Sequence, residues 1–240
     1  MFRTISVFFT FICGFYSTSI SAGVTAEISR VIFNEDKREQ SLQLINLNEY
    51  PVMVQLWVDD GDVNGNPDKA VDAPVIPLPA IFKMEPKEQR NVRLVKVVNN
   101  ADQNRESLHW LNIYEIPPEP SKQEGSEDQN KILLTMHTQM KLILRPKALS
   151  ERIDEVTTNQ QLKWVGRKLE LFNPTPFYIS YTHLSAAESD KNTVPLDMVH
   201  PFGKLIVDLP ESFFYSNKQA VFYLHYLDDW GNMNKIKMSP

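Results

Sequence analysis

The 240-residue chain is 42% hydrophobic, 10% aromatic and 23% charged, an ordinary globular balance that excludes disordered, collagen-like and multi-span membrane chains. With 25 Lys+Arg against 30 Asp+Glu the formal charge is −5, so no global basic field draws the protein to nucleic acid. Sixteen prolines against eight glycines point to strand ends and stiff turns rather than to glycine-cradled phosphates.

The chain opens with Met1-Phe2-Arg3, an apolar run from Ile5 to Tyr16 and the small-residue exit Ser17-Thr18-Ser19-Ile20-Ser21-Ala22-Gly23. One positive charge, a short apolar stretch and small residues make a secretory signal peptide, too short to cross a bilayer as a helix. Residues 1–22 are assigned to it, with the cut between Ser21 and Val24; Ile20 spoils a clean small-x-small pattern. The only cysteine, Cys13, leaves with this segment. The mature chain then carries no thiol, which excludes disulfides, cysteine metal sites and a cysteine nucleophile. No second apolar run reaches membrane-spanning length. The sequence therefore predicts a protein exported past the inner membrane, without stable membrane insertion.

From Val24 on, short apolar runs alternate with Pro, Asn and Asp. The expected strands are Val24–Phe33, Ser41–Asn46, Val52–Val58, Val92–Val98, His109–Ile116 and Ile132–Leu144, then Leu162–Phe172, Pro176–Leu184, Lys204–Leu209 and Gln219–Leu227. With almost no 3.6-residue stripe, and room for a helix only around Leu149–Asn159, the pattern predicts an all-β sandwich architecture. Arg145-Pro146-Lys147 ends the longest strand and opens a polar stretch, so the boundary falls there: residues 23–146 form one domain and 147–240 a second.

Motifs for other chemistries are thin. Asp60-Gly61-Asp62-Val63-Asn64-Gly65 matches half a calcium loop, but Val71 stands where a bidentate Glu is needed and Pro67 interrupts, so an acidic surface turn is expected. His109, His137, His183, His200 and His225 show no ligand spacing. His137 is expected to face solvent. No nucleophile elbow, P-loop or dinucleotide fingerprint occurs. Neither a cofactor nor an enzymatic activity is expected.

The run Ile132–Leu144 has Ile132, Leu134, Met136, Met140, Leu142 and Leu144 in one register, an apolar stripe along one face. At roughly 3.3 Å per residue it spans on the order of 43 Å, far beyond an ordinary strand. Met140, Leu142 and Leu144 are read as facing the home core while Ile132, Leu134 and Met136 overhang. A long hairpin strand folded on its neighbour is the alternative, since periodicity does not separate the two. An overhanging apolar edge is an aggregation liability unless something pairs with it. Arg30 shares parity with Val24, Ala26, Ile28 and Ile32, so a guanidinium interrupts an apolar stripe and must be paired or open to a cleft. Arg30 and Lys141 could together hold one carboxylate, or each could be a solvated strand-end charge.

Five strings in order carry a resemblance: Ser29-Arg30-Val31-Ile32-Phe33, the run from Glu106-Ser107 through Trp110-Leu111-Asn112 to Ile116-Pro117-Pro118, Lys141-Leu142-Ile143-Leu144-Arg145-Pro146, Asn173-Pro174-Thr175-Pro176-Phe177-Tyr178 and Asp228-Asp229-Trp230-Gly231. Together they resemble the periplasmic pilus (fimbrial) chaperones of the chaperone–usher pathway, and they span almost the whole mature chain. The resemblance implies two immunoglobulin-like β-sandwich domains set at an angle, with a cleft that binds an incomplete pilus subunit and a long strand that completes it by donor-strand complementation. It implies that Arg30 and Lys141 anchor the subunit's C-terminal carboxylate. Ile132, Leu134 and Met136, with Asn130 extending the row, would be the inserted residues, and Glu106, Arg145 and Asp229 an interdomain ion network. It further implies a periplasmic location, pilus subunits and an outer-membrane usher as partners, and free copies that can cap one another through their strands. The stretch Pro117–Lys131 is longer and more acidic than in the family's short-loop branch, and it lacks the cysteines common in the long-loop branch. A secreted structural β-sandwich adhesin or surface-fibre component is the competing reading; two domains without a cysteine weigh against it.

Overall fold

Apolar–polar alternation builds strands through most of the described chain, residues 23–70, 72–97, 104–119, 134–186, 193–211, 213 and 221–240 of a computed structural model. The first half contains β1 (Val24–Ala26), β2 (Arg30–Asn34), β3 (Glu39–Asn46), β4 (Val52–Asp59), β5 (Val75–Leu78), β6 (Ile81–Met84), β7 (Gln89–Lys96), β8 (Ser107–Ile116) and β9 (Met136–Arg145). One sheet has the order β1-β3-β7-β5 and the other β2-β9-β8-β4-β6. Their inner faces enclose a core that includes Phe33, Leu44, Leu56, Met84, Leu94 and Leu142.

After β9, Pro146 precedes a 3-10 turn, Lys147–Arg152, and a helical turn follows at Glu155–Thr158. These tuck Leu149 and Val156 under the second half. That half contains β10 (Gln161–Val165), β11 (Lys168–Phe172), β12 (Ile179–Ser185), β13 (Thr193–Pro195), β14 (Met198–Val199), β15 (Lys204–Asp208), β16 (Phe222–Leu227) and β17 (Met233–Met238). The sheets β10-β11-β15 and β13-β12-β16-β17, with β14 also on β12, close over a separate core with Leu169, Leu171, Phe177 and Phe222. Two cores and four sheets make two immunoglobulin-like β-sandwiches, an all-β molecule. No helix among the described residues is long and apolar enough to cross a membrane.

Three sequence expectations change. The run Val24–Phe33 is two strands in two sheets, because the chain bends at 27–29 and crosses from β3 to β9. That crossing resets the parity: Val31 and Phe33 enter the core while Arg30 and Ile32 lie on the other face, so Arg30 interrupts no core stripe. The run Leu162–Phe172 is a hairpin, turned at Gly166 with φ 64°, a backbone state that favours glycine. Finally, β9 begins at Met136 rather than Ile132 within the described residues. Its neighbour β8 ends at Ile116, before Pro117 and Pro118, so Leu134 has no ladder partner among the described residues.

Candidate functional site

The site forms where β2 joins β9. The two strands run parallel, with Arg30 paired to Lys141, Ile32 to Ile143 and Asn34 to Arg145. Parallel partners share a face, so alternation drives Val31, Phe33, Leu142 and Leu144 into the core and leaves Arg30, Lys141, Ile143 and Arg145 on the side opposite. Two like charges therefore stand side by side on adjacent strands.

Neither cation makes an ion pair among the described residues. Arg30 is only 7% exposed, and its Nε is buried without a hydrogen-bond acceptor. Burial lowers its pKa from the usual arginine value, and the more distant charges of Asp229 and Asp228 counteract this. Burial also holds the Lys141 ammonium below its usual value, helped by the Arg30 cation and opposed by Asp197. The Lys141 Nζ lies 6.0 Å from the centroid of the Trp110 ring. An uncompensated guanidinium beside a depressed ammonium costs free energy unless an anion joins them. The arrangement can grip a carboxylate.

The other end of the same row is already neutralised. Arg145 Nε donates to Glu106 Oε1 at 2.6 Å, while Nη1 and Nη2 donate to Asp229 Oδ2 and Oδ1 at 2.6 and 2.9 Å. Burial works against this guanidinium, but Asp229 and Glu106 outweigh it and hold its pKa above the usual value. Glu106 also accepts the Tyr178 backbone N–H at 2.7 Å. Glu106 and Arg145 belong to the first sandwich, Tyr178 and Asp229 to the second. The structure thus brings Glu106, Arg145 and Asp229 together across the joint.

Asp229 is positioned by the turn between β16 and β17. Asp228 organises that turn by accepting from the Trp230 and Asn232 backbone N–H groups and from the Asn234 side chain. Gly231, at φ 85°, allows a close approach: a Cβ there would lie 2.4 Å from Ser29 Oγ. Between the sandwiches remains a cavity of about 270 Å³, its walls including Arg30, Ile32, Ile143, Tyr178 and Trp230.

Below Lys141 the β9 edge is open among the described residues. Residues Met136–Met140 pair with β8 on one side, and β2 reaches only from Lys141 onward on the other. Along this strand Met140, Leu142 and Leu144 are buried, whereas Leu134 is 74% and Met136 47% exposed. Asn130 and Ile132 lie outside the described residues. His137 is exposed, with Nε2 2.8 Å from Asn112 Oδ1 and the ring 5.2 Å from that of Trp57. In the acidic turn, Asp59 and Asp62 carboxylates accept the Gly61 and Asn64 backbone N–H groups. No group of three metal-ligating side chains occurs among the described residues.

Sequence reasoning missed Tyr178, Asp228 and the Gly231–Ser29 contact. Their local signals were the strings that hold them, Ser29–Phe33, Asn173–Tyr178 and Asp228–Gly231, of which the last has a glycine that marks a turn.

Comparison with known proteins gives relatives in both sequence and fold. Residues 23–150 match the family described as pili and flagellar-assembly chaperone, PapD N-terminal domain, and residues 156–237 match the pili assembly chaperone PapD, C-terminal domain. Among curated relatives, chaperone protein FanE of Escherichia coli is 33% identical over 198 residues, covering 79% of this chain and 81% of its own length. Among solved structures, the Pseudomonas aeruginosa CupB2 chaperone superposes with a TM-score of 0.72 at 26% identity, over 90% of this chain and 99% of that one. The structure of the Salmonella enterica SafA pilin in complex with the SafB chaperone gives 0.72 at 25% identity, over 92% and 97%.

Proposed function

Because the chain belongs to the pilus-assembly chaperones of the chaperone–usher pathway, we propose that it captures incomplete pilus subunits in the periplasm by donor-strand complementation and hands them to an outer-membrane usher. Residues 1–22 act as the export signal and are removed, and domains 23–146 and 147–240 form the two sides of the clamp. The observation that carries this reading is the pairing of buried Arg30 with half-buried Lys141, lodged where the open edge of β9 ends.

The geometry supplies a direction. A guest strand laid on the free edge of β9 lies in line with β2, which blocks it at Arg30. If it runs parallel to β9, as β2 does, its C-terminal carboxylate arrives head-on at the two cations. Charge-assisted hydrogen bonds there contribute about 1.5–3 kcal/mol each. Leu134 and Met136, joined by Asn130 and Ile132 earlier in the sequence, then fill the guest's core, each large apolar side chain adding roughly 1.5–3 kcal/mol before ordering costs. Seating the carboxylate first also fixes register, since a one-residue slip turns the stripe away. The chemistry is recognition by strand addition, with no bond made or broken. The same exposed edge lets free copies cap one another.

Two tests follow. Replacing Leu134 and Met136 by serine should lower the yield of co-purified subunit while raising the solubility of the free protein; an unchanged subunit yield counts against strand donation. Capture should also depend on pH. The protonated Lys141 ammonium binds the carboxylate, and its value in the free protein is below that of an ordinary lysine. Affinity for a peptide ending in the subunit's C-terminal strand is therefore expected to fall as pH rises, starting short of the roughly 10.4 of an unperturbed lysine. Affinity that stays flat up to that pH would remove Lys141 from the anchor.

A further inference from the structure

At the far end of the first sandwich, Glu115 on β8 is 4% exposed. Its oxygens accept from the Val24 backbone N–H at 2.7 Å and from Asn48 Nδ2 at 2.8 Å. It forms no ion pair among the described residues. A buried carboxylate held only by neutral donors is missing a counter-charge.

All its donors lead to one place. Asn48 Oδ1 accepts the Gly23 N–H at 2.9 Å. Asn48 is in turn held by Asn46 Oδ1 through its backbone N–H and its side-chain amide, and both asparagines are fully enclosed. The Gly23 carbonyl accepts the Leu47 N–H at 2.9 Å. Gly23 itself is buried at φ 107°, and a Cβ on it would lie 3.3 Å from Met136 Sδ and 3.6 Å from Glu115 Oε2. Its nitrogen and the carboxylate thus lie either side of a single Cα, whose φ favours glycine and where a Cβ would press on the end of Met136.

We propose that Glu115 is the counter-ion of the α-ammonium created at Gly23 when the signal segment is cut off. This rests on the reading of residues 1–22 as a secretory leader. Hydrolysis of the Ala22–Gly23 bond by a signal peptidase consumes one water: the carboxylate leaves on Ala22, and the Gly23 nitrogen gains protons to become an ammonium. One N–H keeps the bond to Asn48, and the new ones face Glu115. Cleavage after Gly23 would discard two buried hydrogen bonds, and cleavage after Ser21 would put the charge one residue further out. The socket therefore selects among the bonds that the small-residue run Ser21-Ala22-Gly23 leaves open. Processing then completes the end of the sandwich beside Met136, and the uncut precursor lacks that charge pair.

The test uses periplasmic protein carrying its own leader. Intact mass is expected to give a chain starting at Gly23. Cyanate should carbamylate the native α-amino group at least about tenfold more slowly than the same group in urea, as local opening must precede reaction. An alanine inserted between Ala22 and Gly23, its processing checked by mass, should lower the folding equilibrium constant about tenfold in the wild type and less than twofold in Glu115→Gln, the coupling of a direct contact. A native amine as reactive as the unfolded one overturns the proposal, as does an insertion that costs the same in both backgrounds. A start at residue 22 or 24 overturns the socket alone, whereas residues 1–22 retained overturn the leader reading as well. Should Glu115→Gln fail to fold, the cyanate rate on the wild-type protein decides.

Discussion

Lys141→Ala is expected to cut the recovery of subunit complex ten- to a hundredfold while the free protein stays folded, and Arg30→Ala to do the same. On the proposed anchoring, each removes one charge-assisted hydrogen bond to the guest carboxylate, about 1.5–3 kcal/mol. The fold should tolerate both changes, since the core contacts of these strands come from Val31, Phe33, Leu142 and Leu144. Removing either cation also relieves the repulsion that helps hold the Lys141 ammonium down, so the free variants should unfold no earlier in urea than the wild type. Co-expression with a subunit and co-purification measures capture, and circular dichroism checks the fold. Full recovery of complex with Lys141→Ala would refute the anchoring role.

Arg145→Ala is expected to have the largest effect on stability. The side chains of Arg145 and Glu106 are 7% and 1% exposed, so truncation leaves Glu106 as a buried charge with only the Tyr178 N–H opposite it. Losing one partner of such a pair costs about 3–5 kcal/mol, a large share of a domain's total stability. Urea unfolding measures the loss. The double replacement Arg145→Met with Glu106→Gln should recover much of it, because the stranded charge is gone. A single variant as stable as the wild type would mean that this network holds nothing together.

Period-two alternation is local and survived translation into three dimensions: along β9 it put Met140, Leu142 and Leu144 on the core face, while excess strand length, not period, set them apart from the exposed Leu134 and Met136 of the same register. The break after Ala26 was hidden because both sides of the bend at 27–29 remain apolar-alternating, and a change of sheet leaves no compositional trace. Strands β5, β6, β13, β14 and β17 were missed. Pro77 sits inside β5, and the Met233–Met238 strand alternates Asn and Lys with apolar residues on a sheet edge, where charge guards against pairing and blurs the pattern. The Glu106–Arg145–Asp229 trio spans separations of 39 and 84 residues; only resemblance could assemble it. The Glu115–Asn48–Gly23 cluster was invisible for the same reason, since buried polar partners far apart in sequence carry no periodic signature.

Gly231 and Ser29 meet with no room for even a methyl group between them. Ser29 immediately precedes Arg30, and Gly231 lies two residues beyond Asp229, so this touch point sits between the anchor and the ion network. The molecule behaves here like a caliper whose jaws touch at one point, kept close because position 231 carries no side chain. A side chain added at position 231 would have to push the Ser29 hydroxyl aside and hold a backbone state that favours glycine, so the jaws would meet differently.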